Sequence, residues 1–169
     1  MQTEIAGVRI APAPIEFPPF AVDAVAVEQD TARILGETDA LLEPDESYAQ
    51  LVREMGAEPR LEPGSVTVTP GRPLRLEVIV HDFDCEPSCC EAWIVSALDG
   101  VLREAAARGI GALSLPALGS RYGGFDRRRF VALLRDRLHA GVSPGLHRLW
   151  LIVPMRAVEG VLKILRNAG

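Results

Sequence analysis

The chain has 169 residues, 48% of them hydrophobic, and a net charge of -5, enough for the core of one ordinary domain. The acidic balance excludes a general nucleic-acid binder, which needs a basic face against backbone phosphates. The first twenty residues, MQTEIAGVRIAPAPIEFPPF, hold four prolines where a signal peptide needs an unbroken apolar run, so neither export nor a membrane span is expected.

In chain order, strands are predicted at Val8–Ile10 and Phe20–Val27, followed by a helix over Asp45–Met55. That helix carries Tyr48, Leu51, Val52 and Met55 at helical spacing and stops at Gly56. Ser65–Thr69 and Leu76–His81 read as a strand pair joined around Pro70–Pro73. Ser88 and Glu91 form an S-x-x-E capping box for a long helix with Ile94, Val95, Leu98, Val101, Leu102 and Ala105 on one face. Gly100 should weaken it by about 1 kcal/mol relative to Ala. A strand at Ala112–Leu115, a helix capped by Asp126, a strand at Leu149–Val153 and a helix with Val158, Val161, Leu162 and Leu165 buried complete the set. Several strands are continuously apolar, as strands buried on both faces are. With no repeat and no long linker, the reading is one α/β domain over residues 1–169, a three-layer α/β/α sandwich with a mixed sheet of about six strands.

The segment ALSLPALGSRYGGFD, residues 112–126, runs from an apolar strand through a Gly-rich turn into a helix that opens with Arg127, Arg128 and Arg129. Backbone N–H groups of such a turn and the helix dipole favour phosphate. Three cations in a first helical turn cost about 0.3–1 kcal/mol each, which salt bridges, solvation or a bound phosphate would offset.

Three cysteines, Cys85, Cys89 and Cys90, crowd six residues; this is no disulfide framework and suits a reducing cytoplasm. Together with His81 and Asp84 they offer ligands of the kind zinc prefers. The C-x-x-x-C-C spacing lacks paired knuckles, however, and adjacent cysteines at a helix start diverge by about 100°, so no metal ligand is assigned. The simpler reading buries His81, hydrogen-bonded at the end of its strand, with one cysteine packed under the helix. A helix N-terminus also lowers a thiol pKa, which would make Cys89 or Cys90 reactive. His139 and His147 read as surface positions, so no base, no catalytic residue and no cofactor is assigned.

The order VDAVAV (22–27), GSVTVTPGRPL (64–74), VIVH (78–81), the capped helix and LPALGSRYGGFD (115–126) resembles the macrodomain family, over nearly the whole chain. The resemblance implies an ADP-ribose cleft at the ends of the central strands and, in some members, hydrolysis of ADP-ribose from modified proteins. It places the adenine-reading Asp-Ile pair on Glu16 and Phe17, and the Asn positions for the distal ribose on Val27 and Asp30. The triple-Gly loop falls near residues 35–42, keeping Gly36 and adding Glu37 and Asp39. At about 4–6 Å and an effective dielectric near 20, such a like-charge contact with a diphosphate costs about 3–4 kcal/mol. The second loop keeps Gly119, Ser120, Gly123 and Gly124, puts Arg121 in place of a glycine and adds Tyr122, which would lie along a ribose or base face or simply pack. Arg121 loses glycine's conformational freedom and gains a bidentate phosphate ligand, to block the cleft or clamp an anion.

Binding without strong turnover is therefore the leading expectation, with an ADP-ribose-like or phosphorylated small molecule as ligand, or an ADP-ribosylated protein, and no membrane partner. A fold that has lost its ligand and serves as an interaction module comes second. A hydrolase of ADP-ribosyl linkages, working through Asp30 or Tyr122, comes third.

Overall fold

The computed structural model describes residues 1–35, 59–141 and 145–167. The helix expected over Asp45–Met55, with Gly56, and the loop residues Gly36, Glu37 and Asp39 lie outside the described residues.

Seven strands form one sheet: β1 (Thr3–Ile5), β2 (Val8–Ala13), β3 (Ala24–Asp30), β4 (Val66–Thr69), β5 (Leu74–His81), β6 (Ala112–Pro116) and β7 (Arg148–Ile152). Their order is β1-β2-β7-β6-β3-β5-β4. The five central strands are parallel, and β1 and β4 close the two edges in antiparallel pairing. The α/β plan holds, with seven strands in place of about six. The added strand, β1, is three residues long and turns into β2 through Ala6 and Gly7, both at positive φ. A two-residue hairpin demands that conformation, but Ala-Gly lacks the Asn or Asp that advertises it.

Helices α1 (Glu91–Arg108), α2 (Arg127–Ala140) and α3 (Val158–Arg166) pack side by side, α1 against β5 and β4, α3 against β1 and β2. Alternate strand residues, among them Ala24, Ala26, Leu76, Val78, Leu113, Leu115, Leu149 and Leu151, form one core with Ile94, Leu98, Phe130, Leu134 and Leu162. Residues of opposite parity, Ile79, Ser114 and Trp150, are buried as well, as a layered sandwich with strands covered on both faces requires.

Two local expectations are corrected. The strand expected at Phe20–Val27 begins at Ala24 and runs on through Glu28 and Gln29 to Asp30, because those polar side chains find partners inside the protein. The capping box does not form. Helix α1 starts after Cys90 with no side-chain cap, while the Ser88 carbonyl accepts the Asp82 N–H at 2.8 Å. Asp126 does cap α2, accepting from the Arg128 N–H at 3.0 Å, and the stripe Val158, Val161, Leu162 and Leu165 is buried.

Gly100 has a packing reason to be in α1. A Cβ there would stand 2.9 Å from Cγ2 of Val66 on β4, so the glycine lets helix and edge strand close on each other. Replacing it by Ala, worth about 1 kcal/mol in favour of an exposed helix, should instead destabilise this protein by about 1 kcal/mol or more, since overpacking costs about 1–3 kcal/mol. Urea unfolding checks the sign: G100A lowers the midpoint alone and raises it in a V66A background.

Candidate functional site

Parallel central strands all end on the same side of the sheet, and ligands of open α/β sheets bind outside those carboxyl ends. A cleft of about 630 Å³ lies there. Ala26, Val27 and Glu28 of β3, Ala117 after β6 and Val153 after β7 line it, with Ile15 and Glu16 on one side and Ser120, Arg121 and Tyr122 on the other. Three arginines, Arg75, Arg121 and Arg127, and two glutamates, Glu16 and Glu28, supply its charges.

The loop after β6 is held from within. The Ser120 hydroxyl and N–H both donate to the Ala117 carbonyl, at 2.6 and 3.2 Å, and the N–H groups of Gly123 and Phe125 donate to the Gly119 carbonyl. The Gly119 N–H donates to Oε1 of Glu28. A fan of free donors was expected here; the structure commits the N–H groups of Gly119, Ser120, Gly123 and Phe125 and leaves those of Arg121, Tyr122 and Gly124 without an acceptor among the described residues. Gly119 has φ of 75°, and a Cβ on it would stand 2.8 Å from Cys89 Sγ and 2.9 Å from Phe125 Cβ. A Cβ on Gly123 would stand 2.5 Å from that of Cys89. Glycine is thus required at both positions by contact, and at Gly119 by conformation as well.

Of the residues singled out in the sequence, Glu16, Ser120, Arg121 and Tyr122 line the cleft. Arg121 lies over the Tyr122 ring, 5.1 Å from its centroid, and it is not among the residues at positive φ, so its backbone does not call for glycine. Phe17 is 67% exposed and is not part of the lining. Gly124, at φ 63°, has open space where a Cβ would be. Asp30 is buried and is not part of the cleft lining; its carboxylate accepts the N–H groups of Ala32, Ile34 and Leu35 at 2.7–2.8 Å. Such a carboxylate holds the loop that follows β3. Gly36 lies outside the described residues.

The basic cluster divides. Arg129 makes two hydrogen bonds to Glu91 of α1, at 2.8 and 2.6 Å, and this pairing holds the Glu91 carboxyl below its usual range. Arg128 is exposed. Arg127 turns into the cleft, and its Nε is buried with no partner.

Glu28 is the residue that sequence reading missed. Its side chain is 7% exposed, and Oε2 stands 3.4 Å from His81 Nε2. His81 is fully buried at the end of β5, stacked on Phe83 with ring centroids 5.6 Å apart and meeting the Tyr122 ring edge-on. The signal was a Glu inside the buried run VDAVAVEQD, since an interior charge must find donors.

The cysteines hold no metal-like arrangement: among the described residues no three His, Cys, Asp or Glu side chains converge as a metal ion requires. The expectation of a reactive thiol is corrected for Cys89, whose pKa burial, helped by the Glu28 charge, pushes up to about 12. The fields and hydrogen bond of Asp82 also raise that of the exposed Cys85. His139 and His147 are exposed, as expected.

No family model matches the chain, and no curated protein does. Solved structures do. A macrodomain of Oceanobacillus iheyensis with ADP is similar at a TM-score of 0.69 and 13% identity, over 98% of this chain and 94% of that one. The macrodomain of Thermus aquaticus DarG gives 0.61 and 17%, over 86% and 98%, and that of Mycobacterium tuberculosis DarG gives 0.57 and 13%, over 88% and 100%. The fold is that of a macrodomain.

Two outcomes follow from the geometry. Because folded Cys89 holds its proton more tightly than an unfolded thiol, its contribution to stability is full below pH 9 and is lost as pH rises toward about 12. Iodoacetamide at pH 8 followed by peptide mass spectrometry should label Cys89 only after unfolding. D30A strands three amide donors and should cost about 2–3 kcal/mol in urea melts, with D30N, which keeps a carbonyl acceptor, losing less.

Proposed function

We propose that the cleft binds ADP-ribose or a related nucleotide or phosphorylated ligand, without strong catalysis. The observation that carries this reading is an open cleft at the strand ends bearing three arginines, one of them with a buried, unpartnered Nε. Neither Arg121, Tyr122 nor Phe17 closes it, which speaks against a fold that has lost its ligand. The ADP in the Oceanobacillus iheyensis structure supports a ligand of nucleotide kind. Hydrolysis through Asp30 finds no support, because three backbone donors already occupy that carboxylate.

One observation favours an interaction module as the second reading. Ile15 of the cleft lining is 65% exposed, Met155, next to the lining residue Pro154, is 63% exposed, and Phe17, next to the lining residue Glu16, is 67% exposed. These apolar side chains suit a macromolecular surface as well as a small ligand.

Calorimetry with ADP-ribose, ADP, AMP and inorganic phosphate tests the first reading. Saturable binding is expected, weakened about tenfold or more in R127A, the loss of one charge-assisted hydrogen bond. R129A, whose partner is Glu91, should leave affinity unchanged. Absence of heat with all four probes at millimolar concentration would refute the reading.

A further inference from the structure

We infer that Glu28 sets the charge of the ligand, making the cleft select a single phosphoryl group over a diphosphate. The inference rests on the proposed binding role of the cleft and narrows it.

In a Gly-rich anion loop the backbone amides face the ligand and carry its negative charge. Here the amide of Gly119 is already given to an anion, the Oε1 atom of Glu28. The second oxygen meets the imidazole of His81 at 3.4 Å. No arginine or lysine pairs with Glu28 among the described residues. Its side chain nonetheless lines the cleft, so its field acts on whatever enters.

The cations stand elsewhere. Arg121 projects from the loop over Tyr122, Arg127 from the start of α2, and Arg75 is drawn toward Glu77, 3.5 Å away. One phosphoryl group can sit between Arg121, Arg127 and loop N–H groups, those of Arg121 and Tyr122 among them, that have no acceptor among the described residues. A second one, displaced toward Gly119, meets a carboxylate where it needs a donor. Like charges at such range in a partly desolvated cleft cost about tenfold or more in affinity.

AMP and ADP differ by that second phosphoryl group alone, so their ratio of dissociation constants is the readout, measured by calorimetry on the full chain. The wild-type protein should bind AMP about tenfold or more tighter than ADP. E28Q removes the charge while its amide oxygen still accepts from Gly119, and should tighten ADP about tenfold and AMP by less, so that the ratio of their dissociation constants falls. E28A, which also frees the Gly119 N–H, should tighten ADP at least as much. A wild-type protein that binds ADP as tightly as AMP overturns the inference without any variant, and so does an E28Q ratio equal to the wild-type ratio. Both of those outcomes leave the binding role standing. Absence of binding by either nucleotide, by ADP-ribose and by phosphate removes the binding role, and the inference with it.

Discussion

A carboxylate taken out of water has to be met by donors, and the loop beside the cleft is shaped by that requirement. Glu28 lies at the carboxyl end of β3 with its side chain nearly buried. It takes the Gly119 N–H and faces the His81 ring, so one side chain joins β3, the end of β5 and the turn after β6. For Gly119 to present its N–H inward, the chain adopts a positive φ at a point too crowded for any Cβ. The following residues then fold back on the Gly119 carbonyl, and Gly123 passes close over Cys89 and His81. Loss of this carboxylate would leave buried donors unmet, which costs more than the bond itself contributes.

Carboxylates also hold backbone at the two ends of β3. Just before the strand the exposed Asp23 Oδ2 accepts the N–H groups of Gly111 and Ala112, at 3.0 and 2.8 Å, and fixes the entry to β6. At its end Asp30 gathers three amides of the loop that follows. Two acidic side chains of β3 and one just before it thus pin three loops, and part of the net acidity of the chain is structural. A central parallel strand is the place for this, since the loops that build a strand-end cleft all pass within reach of it.

How far the sequence could be read follows from the same division. Apolar alternation and helical periodicity reveal the strands β2, β5, β6 and β7 and the buried stripe of α3, because burial is repeated at every turn of the pattern. Asp126 as a cap was legible for a similar reason: the carboxylate bonds its own helix two residues on. Polar residues with distant partners were not legible. Glu28 meets Gly119 across 91 residues of chain, and nothing local announces it. Asp30 matched the position of a ribose ligand in the family pattern, yet its own following backbone claims it. The Ser88 box failed because a backbone bond to Asp82 competed for the same turn. Hydrophobic periodicity is an average over many weak contacts; a site is a few specific ones.

That contrast also explains how a macrodomain fold is kept at 13% identity. A core accepts any set of apolar side chains of suitable volume and pattern, so the sheet and its helices survive extensive replacement. The cleft is under no such averaging, and its charges act one by one. Among the arginines that open α2, Arg129 is satisfied by Glu91, whereas Arg127 reaches the cleft with a buried Nε that meets no partner among the described residues. A cation at a helix N-terminus already works against the dipole, and leaving a donor of it buried and unmet adds to the cost. A protein that had only kept the scaffold would have no reason to hold that arrangement, whereas an anionic ligand entering the cleft would supply the missing acceptor.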